Sequence, residues 1–292
     1  MEEYMIDTKI YTFLKVAQYR NYTKAATELN LTQPAVTQHI KKLEEYYNCR
    51  LINIDGKSVK LTKQGKLLYN YAKFQVANEE QLINQIKKVE TPIKIGATLS
   101  IADYYLPNYL SSYLSNYDEL LYVTVKNTES IIKMLLNNEL YCAFVEGIFD
   151  KSLFKHYEFC NTRFLPVARK GHPLEGQDVT LSDIHKYPLI LREKGSGTRE
   201  IFENYLYQKN DSLLSASKIY EISSFGIMKK MIKNSNAISF MYEEVARQEV
   251  ERGELCHLSI ENYSIQRPLY FIYPSDSLMK ARNELFYKKM MQ

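Results

Sequence analysis

Apolar residues in the first ninety positions recur at steps of three and four, the spacing of helices that bury one stripe. Ile10, Phe13, Leu14 and Ala17 mark a first helix, capped by Asp7. The stretch from Tyr22 to Tyr47 predicts two short helices joined by a tight turn. Thr23 opens the first, Ala25, Ala26 and Leu29 point inward, and Asn30 suits the left-handed residue that ends it. Thr32 caps the second, Pro34 sits in its first turn where a missing amide hydrogen costs nothing, and Val36, Ile40, Leu43 and Tyr47 form its buried stripe. Two short strands follow around Asp55-Gly56-Lys57, a hairpin signal. From Gly65 to Glu90 one long helix carries Leu67, Tyr71, Phe74, Leu82, Ile86 and Val89 along one side. A stripe of that length either packs on its own chain or needs a second subunit; the second reading is preferred, because two recognition helices also suit a two-fold site.

Pro92 closes this region, since the residue before proline leaves helical space. Strand and helix then alternate: strands at Pro92–Thr98, Leu121–Asn127 and Tyr141–Glu146, helices at Ala102–Leu114 and Ser130–Asn137. A second unit has strands at Phe164–Arg169, Pro188–Leu191, Lys218–Ile222 and Ala237–Met241, a helix opening at Gly195–Thr198 and another at Ile227–Ile232. The strand Leu269–Tyr273 and the helix Ser277–Met291 return to the first unit. The pattern predicts an α/β fold: an N-terminal winged helix-turn-helix over 1–64, a linker helix over 65–90, and a two-lobed α/β domain over 91–292. Lobe I would hold 91–163 and 266–292 and lobe II 164–265, joined by crossovers near Cys160–Arg163 and Ser264–Arg267.

The outer face of the second short helix changes the picture from fold to chemistry. Gln33, Thr37, Gln38 and Lys41 are amides, a hydroxyl and a cation, the set that meets base edges and phosphates in a major groove. A solvated amphipathic helix would more often show Glu and Lys there. Thr23, Lys24, Thr32, Pro34 and Ala35 belong to the same candidate DNA-binding surface, and Lys57 and Lys60 would touch the flanking backbone from the wing. Charge points the same way: between Lys9 and Lys73 there are 12 basic and 4 acidic residues, whereas 91–292 hold 24 of each. The net excess of +4 therefore lies wholly in the N-terminal part, where it would attract a polyanion.

In open α/β sheets a ligand lies beyond the carboxyl ends of the strands. Thr98 and Ser100 follow the first strand, Thr128 the second, and Gly195-Ser196-Gly197-Thr198-Arg199 opens a helix after a lobe II strand. Two glycines, two hydroxyls and a helix start suit an anion. The structural alternative is a tight turn with Arg199 paired to Glu200 or Glu203. A nucleotide-cradling loop is disfavoured, because the GxxxxGK[ST] spacing is absent.

The run AAxxLxxTQPAVTxxIxxLE from Ala25 to Glu44 resembles the signature of the LysR-type transcriptional regulators. GATLSIADYYLP, NTESI, AFVEG and LREKGSGTREIFE look most like the branch that includes the sulfur-assimilation regulator CysL and the carbon-fixation regulator CbbR. The resemblance implies an effector domain of periplasmic-binding-protein type, a dimer or tetramer on promoter DNA, and a small, often anionic metabolite as effector. By position it implies cleft roles for Thr98, Ser100, Thr128, Glu146, Ser196 and Thr198. Two departures stand out: Leu51-Ile52-Asn53-Ile54 lacks the arginine of the common LFxR, leaving Lys57 or Lys60 to substitute, and Asn234–Ala237 replaces a glycine-rich turn.

Cys49, Cys142, Cys160 and Cys256 are scattered, with no CxxC, and read as reduced thiols of a cytoplasmic protein without metal or cofactor. No apolar run reaches membrane-spanning length. Two rivals remain: redox sensing through Cys142 and Cys160, and an enzyme with an appended DNA-binding domain. The second is weakened because none of the five histidines lies in a motif with a nucleophile or metal partner.

Overall fold

The computed structural model describes residues 6–55, 58–87, 89 and 91–292. They form two compact units, residues up to Thr91 with Leu136–Glu139, and Pro92–Leu135 with Leu140–Gln292.

In the first unit α1 (Thr8–Tyr19), α2 (Tyr22–Glu28) and α3 (Gln33–Tyr46) precede a hairpin of β1 (Ile52–Asp55) and β2 (Ser58–Leu61), then α4 (Lys63–Ile86). Asp7 caps α1 as expected, but its buried positions are Thr12, Phe13 and Val16, rotated from the expected stripe. The cap of α2 is Asn21, whose side chain accepts from Lys24 N, and Thr23 lies inside the helix. Asn30 is left-handed at φ 53°, and Thr32 caps α3 by accepting from Ala35 N. Val36, Ile40 and Leu43 are buried, whereas Tyr47 is 42% exposed because the helix ends at Tyr46 and the stripe ends with it. Strands β1 and β2 pair antiparallel, Asp55 opposite Ser58, as the hairpin signal requires.

The long helix packs on its own unit through Leu68 and Ala72 near its start, and further along Glu79 accepts from the Tyr11 hydroxyl at 2.7 Å. Leu67, at 74% exposure, and Tyr71, Leu82 and Ile86 face outward. It stops at Ile86 rather than Glu90, so Val89 lies beyond it.

The second unit contains β3 (Ile93–Ala97), α5 (Leu99–Tyr104), α6 (Leu106–Asn116), β4 (Leu121–Val125), α7 (Thr128–Leu136), β5 (Cys142–Val145) and the 16-residue β6 (Phe154–Arg169). Next come β7 (Asp178–Val179), α8 (Leu181–His185), β8 (Leu189–Leu191), α9 (Gly197–Gln208), β9 (Ile219–Glu221), α10 (Phe225–Lys233), β10 (Ser239–Tyr242) and α11 (Glu243–Glu251). β11 (Leu255–His257), β12 (Ser259–Ile260), β13 (Gln266–Pro274) and α12 (Lys280–Met290) complete it. Strand order in the main sheet is β10-β6-β13-β5-β3-β4, with β11 also on β6. β3 pairs parallel with β4 and β5, and β6 runs antiparallel to β13 from Phe154–Pro274 to Arg163–Gln266. Strand β6 continues from its ladder with β13 into ladders with β10 and β11.

One expected helix is divided. Ala102–Leu114 falls across α5 and α6, which meet at Tyr105, because Pro107 has no amide hydrogen to continue the ladder of α5 and is tolerated only in the first turn of a new helix. Helix α5 begins at Leu99, directly after β3, and that early start sets the site described next.

Candidate functional site

Two surfaces collect the candidate residues, one in each unit. In the first, Thr32, Gln33, Pro34, Thr37, Gln38 and Lys41 are exposed along the opening turns of α3, Ala35 is half-buried among them, and Thr23 and Lys24 are exposed on α2. Gln33 Nε2 donates to Thr37 Oγ1 at 3.0 Å, which holds both side chains outward on one helix face. Lys41 reaches Glu45 at 3.8 Å, a loose surface pair that an incoming phosphate can replace. Lys60 is exposed on β2, and Lys57 lies outside the described residues. Buried Ala25 and Ala26 let α2 cross close to the neighbouring helices, which orients α3 with its polar face free.

In the second unit all six candidate effector residues are buried at the carboxyl ends of strands. Thr98 occupies the N-cap of α5 without a capping bond from its hydroxyl. Ser100 Oγ donates to Glu146 Oε1 at 2.9 Å, and Thr128 Oγ1 donates to the Glu146 carbonyl at 3.1 Å. From lobe II, Ser196 caps α9 by accepting from Arg199 N at 3.3 Å, with Thr198 Oγ1 3.5 Å from its hydroxyl. The lobes touch here: Glu129 N donates to Gly195 O at 3.2 Å. A Cβ on Gly197 would stand 2.7 Å from Glu146 Cγ and 2.9 Å from Thr128 Oγ1, so glycine lets the start of α9 settle on the lobe I carboxyl. Gly147, at φ +89°, faces Gly197 equally closely.

The electrostatics centre on Glu146. Burial pushes its carboxyl up to about 7, against the opposing pull of the Ser100 hydroxyl and the Arg192 guanidinium. Oε2 has no hydrogen-bond partner among the described residues, and nor do Thr98 Oγ1, Arg192 Nη1 or the Tyr242 hydroxyl. Arg192 is 4% exposed, lies 4.7 Å over the Phe225 ring and spends Nε and Nη2 on Glu193. Arg199 serves structure: its Nε donates to Glu203 at 2.7 Å and its Nη1 to Glu221 and to the Arg192 carbonyl. Beside this buried cluster a hollow of about 500 Å³, lined in part by Thr128, Lys133, Phe149, Lys194 and Glu200, opens to solvent.

Arg192 and Tyr242 escaped the sequence reading, although each ends an apolar strand run, the same signal that singled out Thr98. The turn at Asn234–Ala237 needs no glycine: Asn234 has φ −103° and the Ser235 hydroxyl donates to Met231 O. Neither thiol of the redox reading is activated. Burial pushes Cys142 far up and Cys160 up to about 11. Among the described residues no cluster of His, Cys, Asp or Glu could hold a metal, and no helix is long and apolar enough to cross a membrane.

Comparison with known proteins adds names to these surfaces. Residues 8–66 match the family model "Bacterial regulatory helix-turn-helix protein, lysR family", and residues 87–291 match "LysR substrate binding domain". The chain is 30% identical over 287 residues to the HTH-type transcriptional regulator CysL of Bacillus subtilis (strain 168), covering 96% of this chain and 95% of that protein. It is 28% identical over 280 residues to a probable RuBisCO transcriptional regulator of Phaeodactylum tricornutum, covering 93% and 91%. Among solved structures, the regulatory domain of Synechocystis CcmR in complex with 2-PG superimposes with a TM-score of 0.61 at 23% identity, covering 68% of this chain and 95% of that one.

Proposed function

Because the chain belongs to the LysR family of bacterial transcriptional regulators, we propose that α3 reads promoter DNA and that a small anionic metabolite, held between the lobes, controls how it does so. The buried cluster carries this reading. Arg192 Nη1 and the Thr98 and Tyr242 hydroxyls are buried donors without protein acceptors among the described residues, and an unsatisfied buried donor costs about 1–3 kcal/mol. An anion supplies acceptors for all of them at once. The relatives named for CysL and for RuBisCO regulation, and the CcmR domain solved with 2-PG, favour sulfur oxyanions and small phosphorylated acids as the class to screen.

The anion favours the arrangement in which α9 rests on Glu146, because it bonds to both lobes there and to neither alone. In a homo-oligomer paired through α4, that preference changes the spacing of recognition helices. Regulation, not turnover, is the role of the bound molecule. The test is Ser196→Ala with Thr198→Ala: basal retardation of promoter fragments should persist, while metabolite-dependent change in the footprint should disappear. A double variant that still responds fully would move the effector elsewhere.

A further inference from the structure

An anion site with a carboxyl at its floor poses a problem. Two negative charges at contact distance repel strongly at the effective dielectric of a protein site, enough to abolish useful binding. Either the ligand brings a cationic group to that end, or the carboxyl is neutral when the site is full.

The surroundings favour the neutral acid. Among the described residues Glu146 makes no salt bridge, and the hydroxyls that act on its carboxyl, Ser100 at 2.9 Å from Oε1 and Thr98, are neutral. The guanidinium that acts on it from β8, Arg192, already has a bidentate partner in Glu193, whose own charge opposes ionisation of Glu146. From β10 it faces the Tyr242 phenol, from the α5–α6 junction the Tyr105 phenol, from α5 Thr98 and Ser100, from α7 the Thr128 hydroxyl, and from α9 Gly197 at the helix start. Tyr105 donates to Thr162 Oγ1 at 2.8 Å and is spoken for. No lysine or unpaired arginine on these elements serves as a counterion. Burial raises the carboxyl to about 7, so near that pH the protonated and ionised forms are comparably populated.

We propose that Glu146 is a proton-linked ligand: it binds the anion as a carboxylic acid, its Oε2 hydroxyl donating to an anion oxygen alongside Arg192 Nη1. Binding then carries one proton into the cleft, and the site selects fully ionised oxyanions and carboxylates over zwitterions. This rests on the cleft reading above and adds to it a specificity residue and a pH dependence.

The test uses the full chain and probes that keep their charge between pH 6 and pH 8: sulfate, oxalate and sulfoacetate, with serine as the zwitterion. Melting curves against concentration give apparent affinities. One linked proton weakens anion binding by about tenfold from pH 6 to pH 8. Glu146→Gln, which fixes the neutral shape, should bind the same anions at both pH values as the wild type does at pH 6. Ser100→Ala removes a donor to the carboxylate, so the pH at which binding weakens should rise. Infrared spectra of the ligand-free proteins should show a buried carboxylic acid band at pH 6 in the wild type that is missing from Glu146→Gln. The proposal is overturned by affinity that ignores pH, by a Gln variant that loses the anions at pH 6, by a preference for serine, or by absence of the acid band. If no anion stabilises either protein at either pH, the cleft reading itself fails, and an acid band still present would show that the fault lies there and not with the protonation of Glu146.

Discussion

Glu146 also leaves a mark on stability that requires no ligand. In the unfolded chain its carboxyl has the ordinary value of 4.5, and in the folded cleft burial raises this to about 7. A raised folded value means that the folded state favours the proton. The contribution is full below the unfolded value and is lost as pH rises through about 7. The loss amounts to something on the order of 3 kcal/mol by the usual conversion. His172 and His257, held below their ordinary range by burial, act in the opposite sense, losing stability as pH falls. A comparison of wild type with Glu146→Gln removes their effect, since both proteins carry them. The Gln variant should gain in denaturant midpoint over the wild type at pH 8 and show little or no gain at pH 5. An equal gain at both would mean that packing, not charge, separates the two.

At the level of elements, the parts written in local grammar were legible and the parts set by tertiary pairing were not. Thr32, Pro34 and Asn30 specify the start of α3 and the end of α2 within a few residues, and the Asp-Gly hairpin fixes the wing. The N-terminal half of β6 was missed because Lys155, His156, Tyr157 and Glu158 are all exposed and show no alternation; what makes them a strand is the ladder to β13. Helix α11 follows β10 without a break, so no loop announced it. In the cleft, hydroxyls after strands were readable, whereas Arg192 and Tyr242 required knowing that their strands end at the same place. Gly65 shows a constraint no pattern reveals: a Cβ there would lie 2.0 Å from the Leu51 carbonyl oxygen, at the turn where Thr62 caps α4. Gly65→Ala should therefore destabilise the N-terminal unit by about 2 kcal/mol or more, read as an early melting step. The exposed stripe of α4 carries a second prediction. Leu82→Glu with Ile86→Glu charges a face that the chain leaves uncovered, so the folded protein should sediment as a smaller species at equal concentration. Unchanged sedimentation would place the oligomer contact elsewhere.

Over the whole molecule, charge separates the two tasks. The residues from 91 onward carry 24 basic and 24 acidic groups, so long-range attraction to DNA originates in the first ninety, and there chiefly between Lys9 and Lys73. Each lysine that replaces a counterion on a phosphate contributes about 0.9 to the slope of log affinity against log salt concentration. Lys24→Ala, Lys41→Ala and Lys60→Ala should each flatten that slope by about two in a two-fold complex, weakening promoter and unrelated duplex alike. Gln33 and Gln38 carry no charge, and amide contacts to base edges distinguish one sequence from another. Gln33→Ala with Gln38→Ala should leave the slope intact and erase most of the preference for promoter over unrelated duplex. Affinities of all these variants across a salt series decide the assignment. If the lysine variants shift preference and the glutamine pair shifts the slope, α3 lies on the duplex in a different orientation, and the cleft would be regulating a different contact.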